Sequence, residues 1–250
     1  MNRFAFRAGA AAAGGVFTRP FTEPLPVQAA SFLMPVGGYG SARVAHFRYH
    51  EIISFKAGYT QVMGTTHVLA NGTIVRETLA SAVVEGLNIL DVITADRVVA
   101  RLTSTHPPPD SKNEMSASIV GSYFENLRIA GQAVGPTCHP HLFDATMKSD
   151  IARAKVPVFD PDTPKDGDPI PLSRDGTLRF SIFQPLQGAI AGAEPLPGCR
   201  VTIPSVGDIY LGEFVVSADH RQLTMIRVDL HSPEAGCVAF GSVEGNGSGY

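Results

Sequence analysis

The chain has 250 residues, of which 44% are apolar and 17% charged, and its formal net charge is −3. This apolar fraction excludes a wholly disordered chain, and the missing basic excess excludes a nucleic-acid-binding role that depends on phosphate contacts. The sequence contains no run of about 18 apolar residues, so we expect no transmembrane segment.

Residues 1–35 predict an extended arm. Alanine and glycine dominate its first half and closely spaced prolines its second, a composition that favours neither a helix nor a central strand. Its many apolar side chains suggest that it lies against its own body or a neighbouring subunit. A disordered leader is the alternative, although the short, glycine-broken apolar stretch makes a poor signal peptide. We place a single β-rich domain at 36–245 and a flexible tail at 246–250.

Runs of alternating polar and apolar side chains predict strands along most of the domain. The first is Arg43–Tyr49. The clearest hairpin is HVLA-NG-TIVRE, in which Asn71 and Gly72 suit a two-residue type I′ turn. Gly86 and the Thr94–Asp96 step are expected to divide Ala80–Ser104 into about three strands.

The rest of the chain predicts more strands and one helix. Residues 116–134 hold two strands, and further strands are expected at 177–183 and in RVTIP, DIYLGEFVV, QLTMIRVDL and GCVAFGSVEG. The helix is expected at about 144–155, where apolar side chains recur at spacings of three and four residues before Pro157. Many short strands with a single helix predict an all-β fold, either a β-sandwich or a distorted jelly-roll-like barrel.

Three parts of the sequence resemble the bacterial "choice-of-anchor" type of β-domain: VVEGLNILDVITADRVVARLTS, SASIVGSYFENLRIAGQAV, and the closing DIYLGEFVV, LTMIRVDL and GSVEGNG. The shared pattern is a TAD step into a strand, then an NLxIxGQxV strand pair and a strand-rich end. It spans about Ala80 to Gly247 with gaps. The resemblance implies a surface or secreted β-domain with a non-enzymatic role. The strong signal peptide and C-terminal anchor of that group are not recognisable in this sequence.

The CHPH stretch that contains His139 and His141 is the first candidate for a metal site. An H-x-H pair on a strand points both imidazoles to one side, as metal-binding jelly-roll enzymes require. With Asp144 and the distant His106, it predicts a metal-dependent, cupin-like enzyme. Pro140 is unsuited to a central strand and the expected glutamate is missing, so a polar turn before the helix is the alternative.

The second candidate is the acidic loop FDPDTPKDGDP, whose closely spaced carboxylates suit a calcium ion. Its spacing differs from that of an EF-hand, because the third ligand position and the distal glutamate are missing. A calcium-stabilised adhesion module and a solvated acidic loop therefore both stay open. The carboxylates belong to Asp160, Asp162, Asp166 and Asp168.

The other reactive residue types form no catalytic pattern. No serine lies in a G-x-S-x-G turn that would act with His220 or His231, so we interpret both as surface histidines. Cys138, Cys199 and Cys237 show no zinc-binding spacing and are expected to be small buried side chains.

The low charge, the apolar arm and the missing catalytic set favour a structural or interaction protein. We expect it to self-assemble, or to join a larger surface or particle complex, through residues 1–35. A homo-oligomer without a cofactor is the leading hypothesis. The metal-dependent enzyme and the calcium module are the alternatives.

Overall fold

The computed structural model describes residues 4–106, 115–139, 177–186, 190, 192–196, 199–217, 220–231 and 235–249. Within these ranges the chain forms only strands and the turns and loops that join them. The strands are β1 (Phe4–Phe17), β2 (Glu23–Gln28), β3 (Ser31–Phe32), β4 (Gly38–Tyr49), β5 (Ile53–Val68), β6 (Ile74–Ile89), β7 (Ile93–His106), β8 (Ser116–Ser118), β9 (Tyr123–Glu125), β10 (Arg128–Ile129), β11 (Gln132–Ala133), β12 (Leu178–Ser181), β13 (Glu194–Leu196), β14 (Arg200–Ile203), β15 (Gly207–Val216), β16 (Arg221–Leu230) and β17 (Gly236–Gly249).

These strands form two antiparallel sheets. The nine-stranded sheet has the order β13-β14-β15-β16-β17-β1-β2, with β12 paired to β15 and β3 to β1. The eight-stranded sheet has the order β11-β10-β7-β6-β5-β4, with β8 and β9 paired to β7. Strands β1, β16 and β17 pack on β5, β6 and β7. The sheets do not close into a barrel, so the β-sandwich prediction is confirmed. The predicted helix at 144–155 lies outside the described residues.

The first half of the predicted arm is a strand inside the nine-stranded sheet. Strand β1 pairs with β17 from Phe4↔Gly249 to Phe17↔Gly236, and β2 and β3 pair with its other side. This differs from the extended arm expected from composition, because a strand with a partner on both sides does not need high intrinsic β-propensity. The same pairing places 246–249, the predicted tail, within β17.

The small side chains of β1 allow the two sheets to approach closely. Ala8, Ala10 and Ala12 are buried in the core. A Cβ atom added to Gly58 of the opposite sheet would lie 2.8 Å from the Ala12 Cβ atom. The Ala/Gly-rich N-terminal sequence therefore fits a narrow part of the sandwich.

Single residues in the left-handed region bend the long strands without ending them. In the eight-stranded sheet these are His46 (φ 52°) and Gly86 (φ 63°). In the nine-stranded sheet they are Gly212 (φ 63°) and Gly241 (φ 61°). Such kinks curve a sheet while its ladder continues. The division of the 80–104 region into three strands was therefore wrong, because Gly86 bends β6 and does not terminate it.

The hairpin predicted at Asn71 and Gly72 is confirmed, but its turn is longer than two residues. Val68 pairs with Ile74, so residues 69–73 form the loop. The Gly72 amide donates to the Leu69 carbonyl over 2.8 Å, and Gly72 alone has a positive φ, of 80°. The Asn71 side chain accepts a hydrogen bond from the Thr73 amide. This bond satisfies the loop backbone, so Asn71 need not adopt a positive φ.

None of the described residues belongs to a helix long and apolar enough to cross a membrane.

Candidate functional site

The predicted metal ligands fall largely outside the described part of the chain. His139 is described, and its backbone amide donates to the Ile182 carbonyl over 2.8 Å. His141 and Asp144 lie outside it, as do the four aspartates of the acidic loop, Asp160, Asp162, Asp166 and Asp168. Among the residues that are described, no group of three His, Cys, Asp or Glu side chains could hold a metal ion. Both metal hypotheses therefore stay predictions.

His106, the distant fourth residue of that hypothesis, is buried inside the sandwich. Its ring centroid is 5.1 Å from that of Phe4, and its Nε2 atom is 3.4 Å from the Thr78 hydroxyl. Burial, assisted by the positive charges of Arg221 and Arg76, lowers the pKa of His106 to about 4. His106 is therefore a neutral core residue at neutral pH, and its described neighbours differ from those of His139.

A buried arginine joins β16 to the neighbouring loops. The fully buried guanidinium of Arg221 donates to the carbonyls of Met115 and His220, over 3.3 and 3.0 Å. The amide oxygen of Asn246 accepts from the Arg221 backbone over 2.8 Å, and its nitrogen lies 2.9 Å from His220 Nδ1. His220 is therefore part-buried and not the surface histidine expected. These contacts anchor chain segments to one another, which is a structural role.

A pocket of about 240 Å³ lies beside the pairing of residues 137–139 with 182–184. The Cys199 thiol adjoins this region and donates to the Gln184 carbonyl over 2.8 Å. Burial raises the pKa of Cys199 to about 12, so it is a neutral thiol and a weak nucleophile near neutral pH. The pocket is lined by Gln132, Ala133, Val134, Gly135, Pro136, Thr137, Gln184, Pro185, Leu186 and Ile190.

The outer face of the nine-stranded sheet carries a network of paired charges. Arg227 donates to Glu213 over 2.9 Å, and Arg200 donates to Asp208 over 2.6 Å. The Tyr210 ring lies under both guanidinium groups, with its centroid 3.7 Å from the Arg227 Cζ atom and 5.2 Å from the Arg200 Cζ atom. Because its charges are matched within the sheet, this network explains stability better than ligand binding.

Five exposed apolar side chains lie between β3 and the start of β4 and on the neighbouring strand β5. Their exposed fractions run from 41% for Met63 to 88% for Val36. Tyr39 is paired with Met63 across β4 and β5, which makes this part of the surface continuous over two strands. We call this group the apolar surface; it consists of Phe32, Met34, Val36, Tyr39 and Met63.

The apolar surface adjoins an open sheet edge. Within the described residues, β4 has a paired strand, β5, on one side only. From Gly38 to Ala45 it pairs with β5 without interruption, and the left-handed residue His46 then interrupts the ladder. The backbone groups on the other side of this segment pair with no described strand, although β3 lies in contact with β4.

A model of one protein family matches residues 4–168, and its description is Domain of unknown function (DUF8256). The chain belongs to this family. No curated protein and no solved structure matches the chain.

The DUF8256 segment contains the described eight-stranded sheet, together with β1, β2 and β3 of the other sheet. The apolar surface and His139 lie within it, whereas the charge network around Arg227 lies after it. Because β1 pairs with β17 along its whole length, the DUF8256 segment shares its core with strands beyond residue 168.

Sequence reasoning did not find the apolar surface as a unit. Phe32 and Met34 were assigned to the arm, and Tyr39 follows a glycine-rich turn in the domain. A signal was present in the apolar run SFLMPV, which no strand pattern explains. Its proximity to Met63 depends on the register of β4 with β5, and such non-local pairing is not encoded in any short motif.

Proposed function

We propose that this chain is a non-catalytic interaction protein that associates with copies of itself through the apolar surface and the free edge of β4. The observation that carries the proposal is the position of five exposed apolar side chains beside an unpaired strand edge. Exposed apolar groups of this kind mark contact sites on protein surfaces. The resemblance to choice-of-anchor domains also favours a non-enzymatic role.

The proposed contact uses a shorter segment than the arm of residues 1–35, through which the sequence predicts association. Strand β1 (Phe4–Phe17) already pairs with a strand on each side within its own sheet, so its backbone cannot pair with another copy of the chain. The second half of the arm is the part that stays exposed: Phe32 and Met34 belong to the apolar surface, and Phe21 and Val27 are exposed nearby in sequence. Covering such side chains stabilises a complex by about 25 cal/mol per Å² of apolar area.

A second copy of the chain suits this edge. A two-fold axis at Ser41, perpendicular to the sheet, would pair β4 antiparallel with its copy and place Arg43 opposite Tyr39 of that copy. No like charges would then face each other across the new ladder. Two-fold pairing of identical surfaces is also the commonest form of soluble oligomer.

Analytical ultracentrifugation of the full chain tests the proposal. We expect a dimer or higher oligomer at tens of micromolar, and a shift toward monomer in a Met34→Ser/Val36→Ser double variant. Val120→Ser is the matched control, because Val120 is also exposed but lies away from β4. A monomeric wild-type chain at that concentration, or an oligomer that the double variant leaves unchanged, would show the proposal to be wrong.

A further inference from the structure

The outer face of the eight-stranded sheet carries two tyrosines with two buried valines between them. Tyr59, Val83, Val99 and Tyr123 are successive neighbours across β5, β6, β7 and β9. The alternate residues, such as Val84 and Val98, point into the core, so this row points outward. The Cα atoms of the two tyrosines are three strand spacings apart, about 14 Å. We call this row the tyrosine platform.

A hydrogen-bonded chain fixes the Tyr59 ring of the tyrosine platform. The Tyr59 hydroxyl donates to Glu85 Oε1 over 3.1 Å, and Arg97 donates to the same oxygen over 2.8 Å. Tyr123, at the other end of the row, is 43% exposed. The Glu85 and Arg97 side chains stay 33% and 40% exposed, so the chain lies open to solvent. A ligand would meet prepositioned groups and would lose little side-chain freedom on binding.

Polar side chains surround the tyrosine platform on the same face. Arg43 pairs with Tyr59, and Gln61, Ser81 and Arg101 form the adjacent row. The Arg43 and Arg101 side chains are exposed, and neither guanidinium group makes an ion pair with a described residue. Together with Arg97 they outnumber the acidic side chains of this part of the face, although the whole chain has a net charge of −3.

A stabilising role alone does not explain this combination. The Glu85–Arg97 pair would bridge β6 and β7 without tyrosines at both ends, and it requires neither Arg43 nor Arg101. Exposed ion pairs are also worth little, typically under about 1 kcal/mol. Flat rings beside fixed hydrogen-bonding groups and free guanidinium groups are instead the chemistry of a binding surface.

We infer that the tyrosine platform binds an acidic polysaccharide. The C–H faces of pyranose rings pack against the rings of Tyr59 and Tyr123, and the sugar hydroxyls bond to Glu85 and Gln61. The free guanidinium of Arg101 pairs with a carboxylate or sulfate of the chain. The face is open and crosses several strands, which suits an extended polymer. This site is separate from the apolar surface and does not depend on self-association.

Affinity electrophoresis of the full chain tests the inference. Polygalacturonate and dextran sulfate present the carboxylate and the sulfate, and fully methyl-esterified pectin and unmodified dextran are their neutral counterparts. We expect at least one acidic polymer to retard the wild-type protein, and its neutral counterpart to retard it much less. Tyr59→Ala, Tyr123→Ala and Arg101→Ala should each weaken binding about tenfold, whereas Tyr59→Phe keeps the ring and should retain most of it.

Arg128→Ala is the matched control, since Arg128 is an exposed arginine of the same sheet outside the tyrosine platform. Each variant should keep the wild-type fold, measured by circular dichroism, and the wild-type oligomeric state, which separates this test from that of self-association. The inference fails if neither acidic polymer retards the protein or if the tyrosine variants bind normally. It also fails if polyglutamate retards the protein as strongly as the polysaccharides, because charge alone would then suffice.

Discussion

At the scale of single residues, two buried side chains of the described part, His106 and Arg221, have structural roles. His106 is held neutral in the core beside Phe4, and Arg221 is satisfied by backbone carbonyls. Sequence reasoning identified the histidines and cysteines as the residues to consider but could not locate them, because burial depends on contacts between distant strands. The outward direction of Tyr59 was not readable within its own strand, because the buried positions beside it are Gly58 and Thr60. Its alignment with Tyr123 was not readable either, since the connection from β7 to β9 is non-local.

The burial of His106 predicts a pH dependence of stability. Its pKa of about 4 in the folded chain is below the usual 6.5, so the unfolded chain binds the proton more readily. The contribution of His106 is complete above pH 6.5 and is lost as the pH falls toward 4, by up to about 3 kcal/mol. Urea unfolding at pH 7 and pH 4.5 should therefore show a larger loss of unfolding free energy in the wild type than in His106→Gln. Equal losses in the two proteins would contradict the assignment.

At the scale of elements, the sequence pattern identified most long strands but misread those without typical strand composition. The hairpin at Gly72 and β16 follow the apolar pattern of their sequences, whereas His46 interrupts the alternation of β4 and nearly every residue of β15 is buried. Strand β1 does not, because its alanines and glycines fit a narrow space against the other sheet, which only the assembled sandwich defines. Gly86 was read as a break for a related reason: a glycine that bends a strand and a glycine that ends one look identical in sequence.

The placement of β1 predicts different effects for two neighbouring alanines. Ala12 is 0% exposed in the core, whereas the side chain of Ala11 is only part-buried. Ala12→Asp should lower the free energy of unfolding by several kcal/mol, because it places a carboxylate among apolar side chains, and Ala11→Asp should cost about 1 kcal/mol or less. Chemical denaturation of both variants measures the difference. If both variants were as stable as the wild type, residues 4–17 would be a detached arm.

At the scale of the whole molecule, the β-sandwich was predictable and its contact surfaces were not. Strand count, turn composition and the absence of a βαβ pattern indicate the fold class. The apolar surface joins Phe32 and Met34 to Met63, and the tyrosine platform joins strands β5 to β9, so both arise only when the sheet is assembled. The tyrosine platform belongs to the eight-stranded sheet, as do Tyr39 and Met63 of the apolar surface, whereas Phe32 belongs to β3 of the nine-stranded sheet. Both surfaces lie within the DUF8256 segment.

The account depends most on the free edge of β4, and hydrogen exchange measured at two protein concentrations tests it directly. Association through this edge should slow exchange of the outward-pointing amides of Gly38–Ala45 at high concentration and leave them fast at low concentration. Amides of the internal strand β6 should exchange equally slowly at both concentrations. If the edge amides exchanged at the same rate at both concentrations, β4 would not be the surface through which copies of this chain associate.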